Sequence, residues 1–351
     1  MKKLQFAMVG GGNGALIGDI HRIGAQFDDL AELKAGCFSR HWDKNLEAGE
    51  KWGVEPGRIY PDYHTMLEEE AKRTGEDRLD FVVVATPNNT HYEIVKDIIA
   101  HGFHIVCDKP VTFTSRESEE LKALAQEKDL LFGVSYSYAH YAILEQAKKM
   151  IADGVLGKIH TIAAEYPQEW VGLNTALRGK DGLTWRVDPA ICGPSGVIAD
   201  IGTHVEYLIS KVTGLKPVRV LARLRSIPDY VPVESDAQVL IDYDNGAAGI
   251  FWTSFAMVGK SCCMKVRIYG DKGGMEWNAH DFMELRVDIA GQPTQIWSAN
   301  YDYCDPQARK SCRLPKGMPE AFHSLFANFY RGYCSHLLSR KEGKDERPFP
   351  Y

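Results

Sequence analysis

A chain of 351 residues is longer than one hydrophobic core usually organises, which favours two domains over one. With 44% hydrophobic and 25% charged residues it lies far from the composition of disordered chains and is expected to fold throughout. The formal charge of −6 offers no general attraction to nucleic acid or anionic lipid, and no stretch reaches the roughly 18 apolar residues of a membrane span, so the expected partner is a small molecule.

Lys2 and Lys3 precede an apolar stretch as they would in a secretory leader, but Gly10 to Gly14 interrupt it after about six residues, fewer than such a leader needs. The eight cysteines include the adjacent pair Cys262 and Cys263 and form no C-x-x-C unit. They are expected to be reduced, small core residues of a cytoplasmic protein.

In chain order, Leu4 to Val9, Ala31 to Phe38, Phe81 to Ala85, Phe103 to Cys107 and Leu130 to Val134 each have the length and apolar content of a buried strand. Between them, His91 to His101 and Ser115 to Lys128 space their apolar residues as a helix with one buried stripe. Repeated β-α-β units imply a parallel sheet covered on both faces. The rhythm changes after Ser135: a helix pattern over Tyr141 to Ile151 leads into Lys158 to Tyr166, then a long glycine-containing polar segment of the kind that often carries function. Beyond it, Val218 to Leu224, Ala237 to Tyr243, Ala247 to Phe255, Lys265 to Tyr269 and Leu285 to Ile289 read as strands, with Asp244-Asn245-Gly246 as a hairpin turn. The expected fold is α/β: a Rossmann domain over 1–135, then an α/β domain over 136–351 with an open, mostly antiparallel sheet.

Gly10-Gly11-Gly12-Asn13-Gly14-Ala15 matches G-x-G-x-x-A directly after the first strand. Gly10, Gly12, Asn13 and Gly14 would let a dinucleotide pyrophosphate approach the backbone, and Ala15 would let the next helix pack closely with its N-terminus aimed at the phosphates. The ribose-reading position falls on Phe38-Ser39-Arg40, where no carboxylate stands. Ser39 and Arg40 suit the 2′-phosphate of NADP, but Arg40 could equally stack on the adenine or face solvent and Asp43 could reach back, so these residues leave NAD and NADP both open as the cofactor. Thr86, Pro87 and Asn88 end the third strand and His91 opens the next helix; these four are expected at the cofactor, His91 alternatively satisfying local backbone.

Asp108-Lys109-Pro110 follows the fourth strand, so Lys109 projects from the carboxyl end of the sheet, where ligands bind in such folds. An ammonium there can hydrogen-bond a reacting oxygen, or be an idle loop lysine. Asp200 and His204 stand four apart, which on a helix places them on one face. They read as an orienting carboxylate with a proton-accepting imidazole, as a structural cap, or as two ligands of a metal site that lacks further ligands nearby.

Taken together, the Gly10 to Ala15 loop, Thr86-Pro87-Asn88 with His91, Asp108-Lys109-Pro110 in place of the more usual Glu-Lys-Pro, and the Asp200 to His204 run resemble the glucose-fructose oxidoreductase and inositol dehydrogenase (Gfo/Idh/MocA) family, over residues 1 to about 340. The resemblance implies a catalytic set of Lys109, Asp200 and His204 acting without metal, Asp108 and Lys109 beside the cofactor, and a homodimer or homotetramer assembled through the open sheet. It also implies a tail, beyond this chain's last residues, that packs back on the first domain. Tyr136, Tyr138, His140, Gln168, Glu169, Trp170, Trp185, Arg186 and Asp188 are candidate sugar contacts, pairing polar groups with flat rings. The expected activity is NAD(P)-dependent hydride transfer at a secondary alcohol of a sugar, glucoside or inositol, with C3 of a glucoside as the most specific assignment. The competing readings are a redox-neutral sugar-modifying enzyme with tightly held NAD, and a nucleotide-binding sensor.

Overall fold

A computed structural model describes residues 3–262 and 264–344. The chain divides into two compact units: residues up to Ser135 together with the closing helix Phe322–Lys341, and Tyr136–Ala321. Among the described residues no helix is long and apolar enough to cross a membrane.

The first unit is built on five parallel strands, β1 (Leu4–Gly10), β2 (Ala31–Cys37), β3 (Phe81–Ala85), β4 (His104–Cys107) and β5 (Phe132–Val134), in the order β2-β1-β3-β4-β5. Successive side chains of a strand point to opposite faces, and here both faces are buried. Phe6, Met8, Phe81, Val83 and Val106 join one apolar layer, whereas Ala7, Val9, Val82, Val84, Ile105 and Cys107 join the other. Helices His91–Ala100 and Ser115–Glu127 cover the second layer through Ile94, Val95, Ile98, Ile99 and Leu121.

The first layer is closed by Phe322–Lys341, which differs from the expectation of a second domain running unbroken over 136–351. Phe326, Phe329, Tyr330, Tyr333 and Leu337 form its buried stripe. Two glycines open the space for them: a Cβ on Gly24 would lie 2.6 Å from Phe326 Cβ, and one on Gly133 2.9 Å from the Tyr333 ring. A bidentate pair from Arg331 to Asp28, at 2.8 and 2.7 Å, fixes the helix laterally.

The second unit holds eight strands: β6 (Ile159–Pro167), β7 (Pro217–Arg225), β8 (Asp236–Tyr243), β9 (Ala248–Ser254), β10 (Lys265–Gly270), β11 (Gly273–Asn278), β12 (Glu284–Ile289) and β13 (Gln295–Ser298). Their order is β13-β12-β11-β10-β6-β9-β8-β7, with β6 parallel to β9 and the other pairs antiparallel, as a mostly antiparallel sheet requires. Strand β11 escapes sequence reading because Gly273 and Gly274 break its alternation; Gly274 leaves room for the Tyr269 ring, 2.7 Å from where a Cβ would stand. Helices Ala142–Ala152 and Thr203–Thr213 carry apolar stripes, while on the sheet's other face Leu221, Leu240 and Ile250 fall in one cross-strand row and stay exposed. Cys262 is exposed, against the expectation of a core residue; the described thiols at Cys37, Cys107, Cys192, Cys304 and Cys334 are buried, and Cys263 lies outside the described residues.

Phe326→Ala is expected to cost about 3–5 kcal/mol, the range for truncating a buried aromatic, and to lower the thermal unfolding midpoint. A midpoint within a degree or so of the parent would show that the closing helix is not part of this core.

Candidate functional site

Gly10 ends β1 directly opposite Ala85 at the end of β3, which is where the strand order reverses direction and an open parallel sheet leaves a crevice. The chain turns there with φ of +80° at Gly10 and +73° at Gly11, and a Cβ on Gly10 would stand 2.6 Å from the Thr86 methyl. Gly12 donates its N–H to Phe38 O at 3.0 Å, tying the loop to the end of β2, where Ser39 and exposed Arg40 follow. Helix Leu16–Gln26 begins after Ala15, with Asn13 and Gly14 in the turn before it. The close helix packing expected of Ala15 is made instead by Gly18, where a Cβ would fall 1.8 Å from Gly11 O. A backbone cradle that side chains would fill, with a helix N-terminus behind it, fits the pyrophosphate of a dinucleotide.

Thr86, Pro87 and Asn88 leave β3 beside this loop, with Thr90 Oγ1 donating to Thr86 Oγ1 at 2.8 Å. His91, expected at the cofactor, is fully buried behind it. Its Nδ1 lies 2.8 Å from Pro110 O and its Nε2 2.9 Å from Thr86 O, so the ring is a strut joining the turn after β3 to the turn after β4.

Lys109 leaves β4 on the other side of that strut. Asp108 beside it accepts from Ser135 Oγ at 2.6 Å and stands 3.8 Å from His21 Nε2, while His21 Nδ1 shares a 2.7 Å hydrogen bond with the Tyr330 hydroxyl. Asp108 thus belongs to a side-chain network under Lys109, whose partners sequence reading missed. His21 lies on the apolar stripe of helix Leu16–Gln26, where it reads as core, and Tyr330 is 309 residues away in the chain. Burial pushes the Asp108 carboxyl up, but the His21 ring, the Lys109 ammonium and the Ser135 hydroxyl outweigh it and hold that group well below the usual carboxylate range.

In the second unit, the five-residue π-turn Ile198–Gly202 runs directly into helix Thr203–Thr213. Asp200 and His204 are therefore not on one continuous α-helical face, as their spacing suggests; Asp200 sits in a widened turn of the sort found at functional positions. The His204 side chain, in a residue 6% exposed, meets the edges of Tyr138 at 5.0 Å and Tyr136 at 5.6 Å between ring centres. Tyr207 stacks on Tyr136 at 4.8 Å, and Tyr166 meets Tyr138 at 5.6 Å with Gln168 hydrogen-bonding to Tyr166. Burial raises the Tyr138 phenol to about 12, so it stays protonated at neutral pH. Arg186 lies over the Trp185 ring at 4.8 Å with Nη1 3.5 Å from Asp200 Oδ2.

Tyr136, Tyr138, Gln168 and His204 thus form one group, with Tyr166 and Tyr207 added by the fold, and Trp185, Arg186 and Asp200 form a second. Four other sequence candidates have local duties. His140 Nδ1 pairs with Lys211 Nζ at 3.0 Å, and burial pushes its ring well below the ordinary histidine value. Trp170 packs on Phe255, Glu169 accepts from Gly259 N and Ser261 Oγ, and Asp188 caps helix Pro189–Cys192. Sequence alone cannot separate these from site residues, because the same polar and aromatic types serve both duties.

Because the folded Asp108 carboxyl lies below its unfolded value, it contributes stability that is fully present above about pH 4 and is lost as pH falls below that, where the unfolded chain binds the proton first. Denaturant titrations should therefore show a constant margin of the parent over Asp108→Asn from neutral pH to about pH 5, and a shrinking margin below about pH 4. A margin that grows on acidification would contradict this.

Residues 4–136 match the oxidoreductase family with an NAD-binding Rossmann fold, and residues 144–276 match the GFO/IDH/MocA C-terminal domain. The oxidoreductase YfiI of Bacillus subtilis strain 168 is 37% identical over 348 residues, covering 98% of this chain and 88% of that protein. The crystal structure of an inositol dehydrogenase homologue from Azotobacter vinelandii complexed with NAD+ is 35% identical with a TM-score of 0.91, covering 97% of this chain and 88% of that one. The structure of an inositol dehydrogenase homologue from the same organism with NADH and myo-inositol is 34% identical with a TM-score of 0.89, at the same coverage. With the dinucleotide cradle, the sheet order and both halves of the sequence in agreement, this chain belongs to the Gfo/Idh/MocA family of oxidoreductases, whose N-terminal module is an NAD-binding Rossmann fold.

Proposed function

We propose that this protein is an NAD-dependent dehydrogenase acting on a ring secondary alcohol of a sugar, glucoside or inositol, with C3 of a glucoside as the most specific assignment, and that Lys109, Asp200 and His204 are its catalytic set. The observation that carries the reading is the seating of His204 among Tyr136 and Tyr138, on the segment that carries Asp200. Flat rings beside polar groups suit a sugar or inositol, which offers C–H groups on its face and hydroxyls at its edge. The Azotobacter homologue whose structure holds NADH and myo-inositol supports the same substrate class.

In this reading Gly10, Gly12, Asn13 and Gly14 hold the pyrophosphate, Ser39 and Arg40 take the adenosine ribose, and Thr86, Pro87 and Asn88 line the crevice beside them. His91 and Asp108 support that surface from behind. The bound nicotinamide supplies the hydride acceptor. Lys109 hydrogen-bonds the reacting oxygen and stabilises its developing negative charge, His204 takes the hydroxyl proton, and Asp200 orients the imidazole. Tyr138, Gln168, Trp185 and Arg186 position the ring. Arg40, exposed just past β2 where no carboxylate stands, is the observation that favours NADP as the alternative cofactor.

The exposed row of Leu221, Leu240 and Ile250 is proposed as the contact that joins subunits into a homodimer or homotetramer, since monomers seldom leave contiguous apolar patches uncovered.

Mixed with NAD or NADP and a panel of inositols, sugars and glucosides, the parent should produce reduced nicotinamide, read by absorbance. Lys109→Ala and His204→Asn should each keep NAD binding and lower kcat by about 10²- to 10⁴-fold. Parental turnover in either variant would remove this mechanism. Light scattering after size exclusion should find the parent oligomeric and Leu240→Asp dissociated; a monomeric parent would refute the sheet-face contact.

A further inference from the structure

We infer that Glu234 is a positioning residue for Asp200 and His204, resting on the reading of that pair as acid–base machinery. One carboxylate oxygen, Glu234 Oε1, accepts from Ser195 Oγ at 2.6 Å, Gly196 N at 2.9 Å and Ile198 N at 3.2 Å. The backbone oxygen of the same residue accepts from Val197 N at 2.9 Å. Glu234 alone thus takes a hydrogen bond from each of the four residues Ser195 to Ile198, the three residues before the π-turn that holds Asp200 and the first residue of that turn. A Cβ on Gly196 would lie 2.4 Å from Glu234 O, so glycine is what lets the two backbones approach this closely.

The first N–H groups of a helix have no partner within the helix, and a carboxylate satisfies them with charge-assisted bonds. Here the carboxylate comes from a segment that is itself anchored. Ser235 Oγ accepts from Ile227 N at 2.7 Å and donates to Ile227 O at 2.9 Å, and Asp236 is held by Arg225 and by the Trp252 indole. Glu234 therefore ties the start of the segment to the sheet framework. A π-turn is a rare geometry beside the α-helix it feeds into, so external bonds decide which of the two the segment adopts. Without Glu234 the turn relaxes toward α, and Asp200 rotates about the helix axis relative to His204.

The experiment compares full-length Glu234→Ala, Glu234→Gln and Ser195→Ala with the parent, using NAD and whichever polyol of the panel turns over. Glu234→Ala should lose about 10²-fold in kcat, the scale of a misplaced reacting group, with NAD affinity unchanged and KM for the polyol within about threefold. Glu234→Gln keeps an acceptor oxygen and should recover most of that loss, and Ser195→Ala, which removes one of the donors, should lose several-fold. A purely structural role would lower stability in all three without this separation of kcat from KM or the glutamine rescue. Parental kcat in Glu234→Ala, or glutamine no better than alanine, overturns the inference; should the alanine variant not fold, parental kcat in Ser195→Ala overturns it. His204→Asn run alongside separates the two ideas: if it turns over normally the acid–base reading fails and this inference with it, whereas an inactive His204→Asn beside a parental Glu234→Ala refutes the positioning role alone.

Discussion

Parallel register is the constraint on which the chemistry of the first unit rests. Gly10 pairs opposite Ala85, and Val84 opposite Cys107, so the loops after β1, β3 and β4 leave the sheet at nearly one level. The glycine cradle, Thr86 and Lys109 are brought to one edge by backbone hydrogen bonding before any side chain is considered. A slip of one residue would turn each strand's side chains to the opposite layer, exchanging Phe6 and Met8 for Ala7 and Val9, and the difference in their volumes forbids it. His91 then joins two of these loops through its two ring nitrogens.

The polar groups that shape the site are held by partners rather than by solvent. Asp108 is served by Ser135, with His21 close by and Tyr330 behind it. The loops after β3 and β4 depend in this way on a helix supplied from the far end of the chain. In the second unit the same device recurs with a carboxylate: Glu234 holds the irregular approach to the π-turn that contains Asp200. Half-buried polar networks of this kind lose hydrogen bonds when incomplete, so each one narrows the conformations open to the residue it supports. The Arg58–Glu70 pair with the Tyr60 hydroxyl shows the cost being met away from the site, where a fully buried carboxylate has a guanidinium and a phenol as partners.

Much of the architecture was legible because it depends on local pattern. The five strands of the parallel sheet, the glycine loop after the first of them and the position of Lys109 after the fourth follow from apolar runs, from Gly10 to Gly14 and from Pro110. Strand β11 was not legible, since two glycines and a polar face erase its alternation, and the role given to Ala15 passes to Gly18 because the distance between a loop and a helix is not written in spacing. Nor does a four-residue separation reveal whether Asp200 lies in an α- or a π-turn. Nor does the sequence show that His140, Trp170, Glu169 and Asp188 each have a close partner within the fold.

By itself, then, the sequence determined the two sheet types, the dinucleotide loop and which residues carry titratable groups of the right chemistry, because periodicity, glycine content and residue type act within a few positions of one another. Tertiary structure alone decided that Phe322–Lys341 returns to the first core, that Tyr330 and Asp108 flank His21, and that Glu234 restrains the approach to Asp200. These pairings join residues tens to hundreds of positions apart. They are set by which apolar faces can be buried together, a condition on the whole unit that no short window of sequence contains.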